Sequence, residues 1–141
     1  MLIDANVVLR FLLADDDRQS AEAEDLLIKA PDGSLNLSAL TVAEVTWVLI
    51  AHFEAPRELV ASAIQRVIAL PSIRANDTLL DAVARFAATS LDFADCALAA
   101  EAAAQGTVAV TFDQDLKRFT DISAMRPKEA LQRLLTRQGH P

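Results

Sequence analysis

The chain has 141 residues, of which 52% are hydrophobic and 23% charged, and this size and composition predict one folded domain over residues 1–141 with a substantial core. Its formal net charge of -7 argues against a protein that coats nucleic acid through a broad basic face, but a nuclease whose acids hold metal ions is compatible with it. The N-terminus has no basic region or small-residue cleavage site, and charges interrupt every apolar stretch, so we expect a cytoplasmic protein with no membrane segment.

Taken in chain order, apolar runs and helical periodicity predict alternating strands and helices. Four short runs bounded by turn residues predict buried parallel strands at residues 2–4, 35–38, 73–75 and 107–111. Helical spacing of apolar residues predicts helices at residues 7–13, 20–30, 40–53, 57–70, 78–88 and 95–105, with a last helix from Pro127. Pro56, Pro71 and Gly106 mark helix ends. The order predicts an α/β fold with a mainly parallel sheet covered on both faces.

The single cysteine, Cys96, cannot form an internal disulfide. Its neighbours Ala94, Ala97 and Leu98 are small or apolar, which favours a buried core residue over a nucleophile.

Several acids are expected at one edge of this sheet. Asp4 ends the first predicted strand, and Asp113 and Asp115 follow the last one in TVAVTFDQDLKRF. Parallel α/β sheets bind ligands beyond the carboxyl ends of their strands. Glu44 is the one charge in LTVAEVTWVLI, and Asp95 lies in the first turn of an alanine-rich helix.

Each acid also has a purely structural explanation. Asp95, with Asp92 as the cap, could offset a helix dipole, and Glu44 could be the solvated edge of a buried helix. Asp113 and Asp115 could be turn formers. For Asp4 this explanation is weakest, because a strand end followed directly by an apolar helix is expected to offer little solvent, and a desolvated carboxylate is costly.

Together, four motifs resemble those of the PIN-domain ribonucleases, in particular the VapC-type toxins of toxin-antitoxin pairs. They are LIDANVVLRFLL, LSALTVAEVTWVL, LDFADCALAAEAAAQG and AVTFDQDLKRF, in the family's order. The resemblance implies a three-layer α/β/α sandwich around a short, mainly parallel sheet. It also implies site residues: the metal-site acids Asp4, Glu44, Asp95 and Asp113, with Asn6 supporting the first acid, Asp115 as an additional acid and Thr111 as a hydrogen-bonding neighbour.

Crowded carboxylates also favour a metal on physical grounds, because they repel each other unless a cation or protons are bound. Oxygen ligands without a His or Cys cluster favour Mg²⁺ or Mn²⁺, and His52 and His140 have no evident role. The hypothesis is a metal-dependent endoribonuclease in which Asp4, Asp95 and Asp113 hold one or two ions. Glu44 would bind a second ion or orient the attacking water.

Contacts to RNA phosphates would fall to the nearby basic residues Arg10, Lys117 and Arg118. Ordinary solvated helix charges explain these residues at least as well.

Two other functions are compatible with parts of the sequence. LIDANVV also resembles the first motif of haloacid-dehalogenase-type phosphatases, but Asn6 stands where that motif has its second acid. A non-catalytic protein-binding module would use the acids only as caps and solvated edges, and it leaves Asp4 unexplained.

The resemblance further implies a VapB-like antitoxin, a homodimer and a toxin-antitoxin hetero-oligomer. A basic antitoxin side chain, best an arginine, would block the acids. We expect its segment to lie in a groove formed by Val8, Phe11, Leu12, Leu26 and Leu27. Apolar positions of the helix at residues 40–53 or of the helix at 95–105 could form the dimer, and the sequence does not choose between them.

Overall fold

The computed structural model describes residues 1–138, in which seven α-helices are interspersed with four short strands. A π-helical stretch, Val48–His52, continues the third helix, and a 3₁₀ turn, Asp115–Arg118, follows the third strand. None of the helices within these residues has the length and apolar content needed to cross a membrane. In chain order the elements are α1 Ala5–Leu13, α2 Asp17–Lys29, β1 Leu35–Asn36, α3 Ala39–Trp47, α4 Arg57–Ile68, β2 Ile73–Arg74, α5 Asp77–Ala88, α6 Phe93–Gln105, β3 Val108–Val110, β4 Ser123–Met125 and α7 Pro127–Gln138.

The strands form two small parallel pairs. In one pair Leu35 of β1 lies opposite Ile73 of β2, and in the other Val108 of β3 lies opposite Ser123 of β4. The N-terminal segment joins the first pair through a parallel bridge between Leu2 and Asn36. Helices and small parallel sheets in this order confirm the predicted α/β fold class.

The structure corrects three details of the predicted elements. Residues 2–4 make a single bridge and no strand, because α1 begins immediately afterwards at Ala5. The predicted helix at residues 40–53 is α-helical only to Trp47 and then π-helical to His52. Strand β4 was not predicted, because Ser-Ala-Met lacks the β-branched and aromatic residues that mark a strand.

The apolar side chains form two separate clusters. The larger one gathers buried residues of α1 to α6 with those of β1 and β2, among them Val8, Leu27, Val45, Ile64 and Phe86. The smaller one, under β3 and β4, consists of Ala99, Ala102, Ala109 and Leu116. Cys96 is fully buried in the larger cluster, and burial raises the pKa of its thiol, which confirms it as a core residue.

Arg57, the first residue of α4, fixes the turn between α5 and α6. Its Nε donates to the carbonyl of Thr89 and its Nη2 to that of Phe86, both at 2.8 Å. The Nη2 also donates to the carbonyl of Leu91, two residues before α6, and the guanidinium lies 3.8 Å from the centroid of the Phe86 ring. One planar cation therefore satisfies carbonyls at the end of α5 and just before α6.

We predict that Arg57→Lys lowers the free energy of unfolding by about 1–3 kcal/mol, because an ammonium group cannot serve all three carbonyls and lie flat on the Phe86 ring. Urea unfolding followed by circular dichroism measures the change. Arg66→Lys is the matched control, since Arg66 lies in the same helix, is exposed and makes no ion pair or side-chain hydrogen bond within residues 1–138. Equal unfolding midpoints for the two variants would contradict the role given to Arg57.

Candidate active site

Asp4 is the N-cap of α1. Its Oδ1 accepts a hydrogen bond of 3.2 Å from the backbone N–H of Val7, and its side chain is exposed. The expectation that this carboxylate has little access to solvent is therefore wrong, because α1 starts so soon after the single bridge at Leu2 that Asp4 remains at the surface. Capping of α1 gives Asp4 a structural role, which is compatible with a second role in binding a metal ion.

Glu44 is exposed on α3, whose first turn is fixed against the chain next to Asp4. The hydroxyl of Thr41 donates to the carbonyl of Ile3 at 3.0 Å in a buried contact, and Ser38 caps the helix by accepting from the N–H of Thr41. Glu44 follows Thr41 by three residues and so lies about one turn further along the same side of the helix. Sequence reasoning missed Ser38 and Thr41, although Ser-x-x-Thr before an apolar helix is a recognisable cap.

Asp95 lies in the first turn of α6 and is partly buried. Burial raises the pKa of its carboxyl group, and the negative charges of Asp113, Asp92 and Asp115 raise it further. The structure therefore brings Asp95 within electrostatic reach of both acids that follow β3. No basic side chain forms an ion pair with Asp95 within the described part of the chain.

Asp113 is held in an exposed turn by local hydrogen bonds. Its N–H donates to the hydroxyl of Thr111 at 2.9 Å, and its Oδ1 accepts from the N–H of Asp115 at 2.8 Å. Thr111 is thus a hydrogen-bonding neighbour of the Asp113 backbone, and its role in the site stays a prediction. Asp115 forms an ion pair with Arg118 at 3.4 Å, and Arg118 also donates to the hydroxyl of Ser90 in the turn that precedes α6.

The predicted phosphate-binding residues differ in their contacts. The guanidinium of Arg10 donates to Asp15 and Gln19, both at 2.8 Å, and this contact lowers the pKa of the Asp15 carboxyl group. Arg10 therefore has a local structural role, which matches the alternative explanation of its charge. Lys117 is exposed in the 3₁₀ turn.

Asn6 is exposed on α1, and its side chain makes no hydrogen bond to Asp4 in residues 1–138. His52 is exposed at the end of the π-helical stretch, and His140 lies outside the described residues.

The acids lie on different elements. Asp4 caps α1, Glu44 is exposed in the second half of α3, and Asp95 lies within electrostatic reach of Asp113 and Asp115. Within residues 1–138 no group of three or more Asp, Glu, His or Cys side chains is arranged to hold a metal ion. The implied ligand set therefore stays a prediction. The donor chemistry nevertheless fits a hard divalent cation, since all the side chains concerned supply carboxylate oxygens and Asp95 is crowded by other acids.

Phe112 is a further residue that sequence reasoning missed. It is 72% exposed, directly precedes Asp113, and has the guanidinium of Arg126 at 5.6 Å from the centroid of its ring. Its position could have indicated it, because Phe112 lies between a predicted strand and an acidic turn and belongs to no periodic pattern of apolar residues.

Comparison with known families gives one match. A family model described as the PIN domain matches residues 1–122, a span that includes all four acidic motifs and ends before β4 and α7. A comparison with curated proteins finds no match.

The crowding of Asp95 predicts a pH-dependent effect of Asp95→Asn. Its raised pKa means that the carboxyl group has no effect on stability below about pH 3.9, where it is protonated in both states. As pH rises from there, the unfolded state ionises first and stability falls until the folded-state pKa is passed. We therefore expect Asp95→Asn to be at least as stable as the parent at neutral pH and to lose any advantage at low pH, measured by melting curves with a chelator present.

Asp77→Asn is the control for that measurement, because Asp77 occupies the first turn of α5 and is exposed. This substitution loses only the favourable interaction with the helix dipole and should be neutral or slightly destabilising. A loss of stability at neutral pH in Asp95→Asn that exceeds the loss in Asp77→Asn would contradict the crowding.

Proposed function

The chain belongs to the PIN-domain family, and from that premise we propose that it is a Mg²⁺- or Mn²⁺-dependent endoribonuclease that hydrolyses RNA phosphodiester bonds. PIN domains are generally metal-dependent nucleases. The observation that carries the proposal for this chain is the partly buried carboxylate of Asp95, crowded by Asp92, Asp113 and Asp115 without a basic partner in the described residues. Such crowding disfavours the ionised acid unless a cation binds.

We assign Asp4, Asp95 and Asp113 to the metal ion or ions and Glu44 to a second ion or to the orientation of water. A bound ion would lower the pKa of a water molecule and stabilise the charge that develops on the attacked phosphate. The backbone N–H of Val7 orients Asp4, and the N–H of Asp115 orients Asp113. The exposed side chain of Glu44 can accept a hydrogen bond from water.

The same residues favour a nuclease over the two alternatives. A phosphatase of the haloacid-dehalogenase type would need a second acid at the position of Asn6. A non-catalytic module gives no reason for placing Asp95 beside Asp113 and Asp115, an arrangement whose repulsion raises the pKa of Asp95. The family match supports the nuclease as well.

We further propose that the enzyme is the toxin of a cytoplasmic toxin-antitoxin pair, inhibited by a VapB-like antitoxin. A groove of about 350 Å³ between α1 and α2 supports this proposal, and Val7, Arg10 and Leu26 contribute to its lining. The residues expected for such a groove need correction, because Val8 and Leu27 are fully buried core residues and Phe11 and Leu12 pack against the same core. Of the five, Leu26 lines the groove.

A homodimer and a toxin-antitoxin hetero-oligomer are part of this proposal. Four large apolar side chains are exposed on α3, on its π-helical extension and at the residue that follows it. On α6 only one, Leu98, is exposed. This distribution favours the α3 side for the dimer contact. The four residues are Leu40, Trp47, Ile50 and Phe53.

We predict that Asp4→Asn, Asp95→Asn and Asp113→Asn each abolish cleavage of total cellular RNA in Mg²⁺ or Mn²⁺ while the chain remains folded. Asparagine is as good an N-cap as aspartate, so the hydrogen bond from Val7 can persist at position 4. The amide oxygen at position 113 can likewise accept from the N–H of Asp115. Gel analysis of the RNA, with circular dichroism of each variant, tests both parts.

Asp92→Asn is the matched control, because Asp92 lies three residues before Asp95 but is exposed and makes no side-chain capping bond. It should retain most activity. Inactivation by Asp92→Asn with normal activity of Asp95→Asn would show that the wrong acid was assigned in LDFADC. Undiminished cleavage in the presence of a chelator would refute the metal dependence.

A separate prediction concerns the partner. Co-expression with the neighbouring reading frame should yield a complex of the chain with a small protein, and the chain expressed alone should inhibit growth. Purification followed by native mass measurement detects the complex. Recovery of a well-tolerated monomer that binds no such protein would refute the toxin assignment and leave the nuclease proposal intact.

A further inference from the structure

Basic residues are concentrated at one end of this acidic chain. Residues 126–138 hold four of the 13 Lys and Arg residues but one of the 20 Asp and Glu residues. This segment, α7 with the residue that precedes it, lies outside the span that matches the PIN-domain family. A polyanion approaching the chain therefore meets its most favourable local charge at α7.

Three of these cations are regularly spaced. Arg133 and Arg137 are four residues apart and share one side of α7, and Arg126, the residue before the helix, precedes Arg133 by seven residues. Arg133 and Arg137 line a groove of about 250 Å³ between α7 and the edge of β3 and β4, together with Val110 and Met125. No ion pair joins any of the three arginines to a carboxylate within residues 1–138.

The groove extends towards the turn that carries Asp113 and Asp115. Strands β3 and β4 are parallel and end side by side, with Val110 opposite Met125. Phe112 follows β3 by two residues and Arg126 directly follows β4, and the Arg126 guanidinium lies 5.6 Å from the centroid of the Phe112 ring. Phe112 remains 72% exposed, so most of its surface is free to contact a ligand, and Asp113 is the next residue.

We propose that this surface, formed by Phe112, Arg126, Arg133 and Arg137 and called here the α7 track, binds single-stranded RNA and guides it to the acids. The arginines contact successive phosphates, and Phe112 stacks on an unpaired base beside Asp113. The inference rests on the proposed function and adds the conformation of the substrate. Unpaired bases present faces that stack on exposed aromatic rings, whereas the bases of a duplex are already stacked on each other.

The arrangement of α7 favours RNA over a protein partner for this groove. Three leucines of α7 are exposed, Leu131, Leu134 and Leu135. Leu134 lines the groove beside Arg133 and Arg137, whereas Leu131 and Leu135 do not line it and stand about a third of a turn or more from those arginines. The guanidinium groups, together with the exposed ring of Phe112 beside Arg126, suit phosphates and bases, while Leu131 and Leu135 provide a separate site for testing protein docking.

Binding of a fluorescein-labelled, single-stranded oligoribonucleotide of mixed sequence to the full chain tests the inference. A chelator prevents cleavage, and fluorescence anisotropy gives the affinity at several salt concentrations. The triple variant Arg126→Gln, Arg133→Gln, Arg137→Gln should bind more weakly, with a log–log salt slope shallower by about 2, since each lost phosphate contact removes about 0.7. Phe112→Leu should weaken binding by about fivefold or more with little change in that slope.

Two matched variants control for net charge and for protein docking. Arg18→Gln, Lys29→Gln, Arg66→Gln removes the same charge from exposed positions on α2 and α4 and should keep the parental slope. Leu131→Gln, Leu135→Gln should leave RNA binding unchanged. If the triple arginine variant and the Arg18, Lys29, Arg66 control lost RNA binding equally, the track would be refuted. It would also be refuted if the triple arginine variant bound RNA normally and the leucine variant changed its oligomeric mass, which would indicate a protein-docking surface instead.

The result separates the track from the proposed function. Cleavage in Mg²⁺ with normal affinity and rate in the track variants would refute the track and leave the nuclease in place. Binding that depends on the track, without cleavage by the parent in Mg²⁺ or Mn²⁺, would support the track and refute the nuclease.

Discussion

The contact between the Arg57 guanidinium and three backbone carbonyls is the constraint on which the acidic surface depends. Helix α5 ends where α6 must begin, and the short turn between them leaves carbonyl groups without helical partners. Arg57 satisfies those of Phe86, Thr89 and Leu91, and Arg118 donates to the hydroxyl of Ser90 in the same turn. Two arginines therefore hold the turn that leads into α6, the helix whose first turn carries Asp95.

Within residues 1–138, the three acids assigned to the metal are held by backbone N–H groups and helix starts instead of by basic side chains. Asp4 caps α1, Asp95 lies in the first turn of α6, and Asp113 accepts from the backbone N–H two residues ahead. Helix starts and backbone N–H groups favour a negative charge and partly offset the repulsion between acids. At Asp95, burial and the neighbouring acids outweigh this effect, so the pKa of its carboxyl group is raised. Because dipoles and N–H groups neutralise no net charge, the carboxylates remain a net negative charge that a metal ion would compensate.

Local signals in the sequence predicted most of the fold but not its long-range contacts. Helical spacing with Pro56 and Gly106 placed the helices within a few residues, and Gly106 does adopt the left-handed conformation, at φ 60°. The pairing of β3 with β4 was not predictable, since it depends on a strand without strand-forming residues. At the site, the motifs identified acids that the structure groups around Asp95, but not the exposure of Asp4, which depends on where α1 begins. Arg57 was missed, and the contact of Arg118 with Ser90 was not predicted, because these contacts join residues 28 or more positions apart.

The separate apolar cluster beneath β3 and β4 gives the two sides of the acidic surface different local stability. Three alanines and one leucine form its buried part, so it buries far less apolar area than the main core that supports Asp4 and Glu44. Amide hydrogens of β3 and β4 should accordingly exchange through partial openings that leave the larger core intact. A metal ion held by Asp113, which follows β3, together with Asp4, which caps α1, would oppose such openings, so that occupancy of the site would be coupled to closure of this smaller part of the fold.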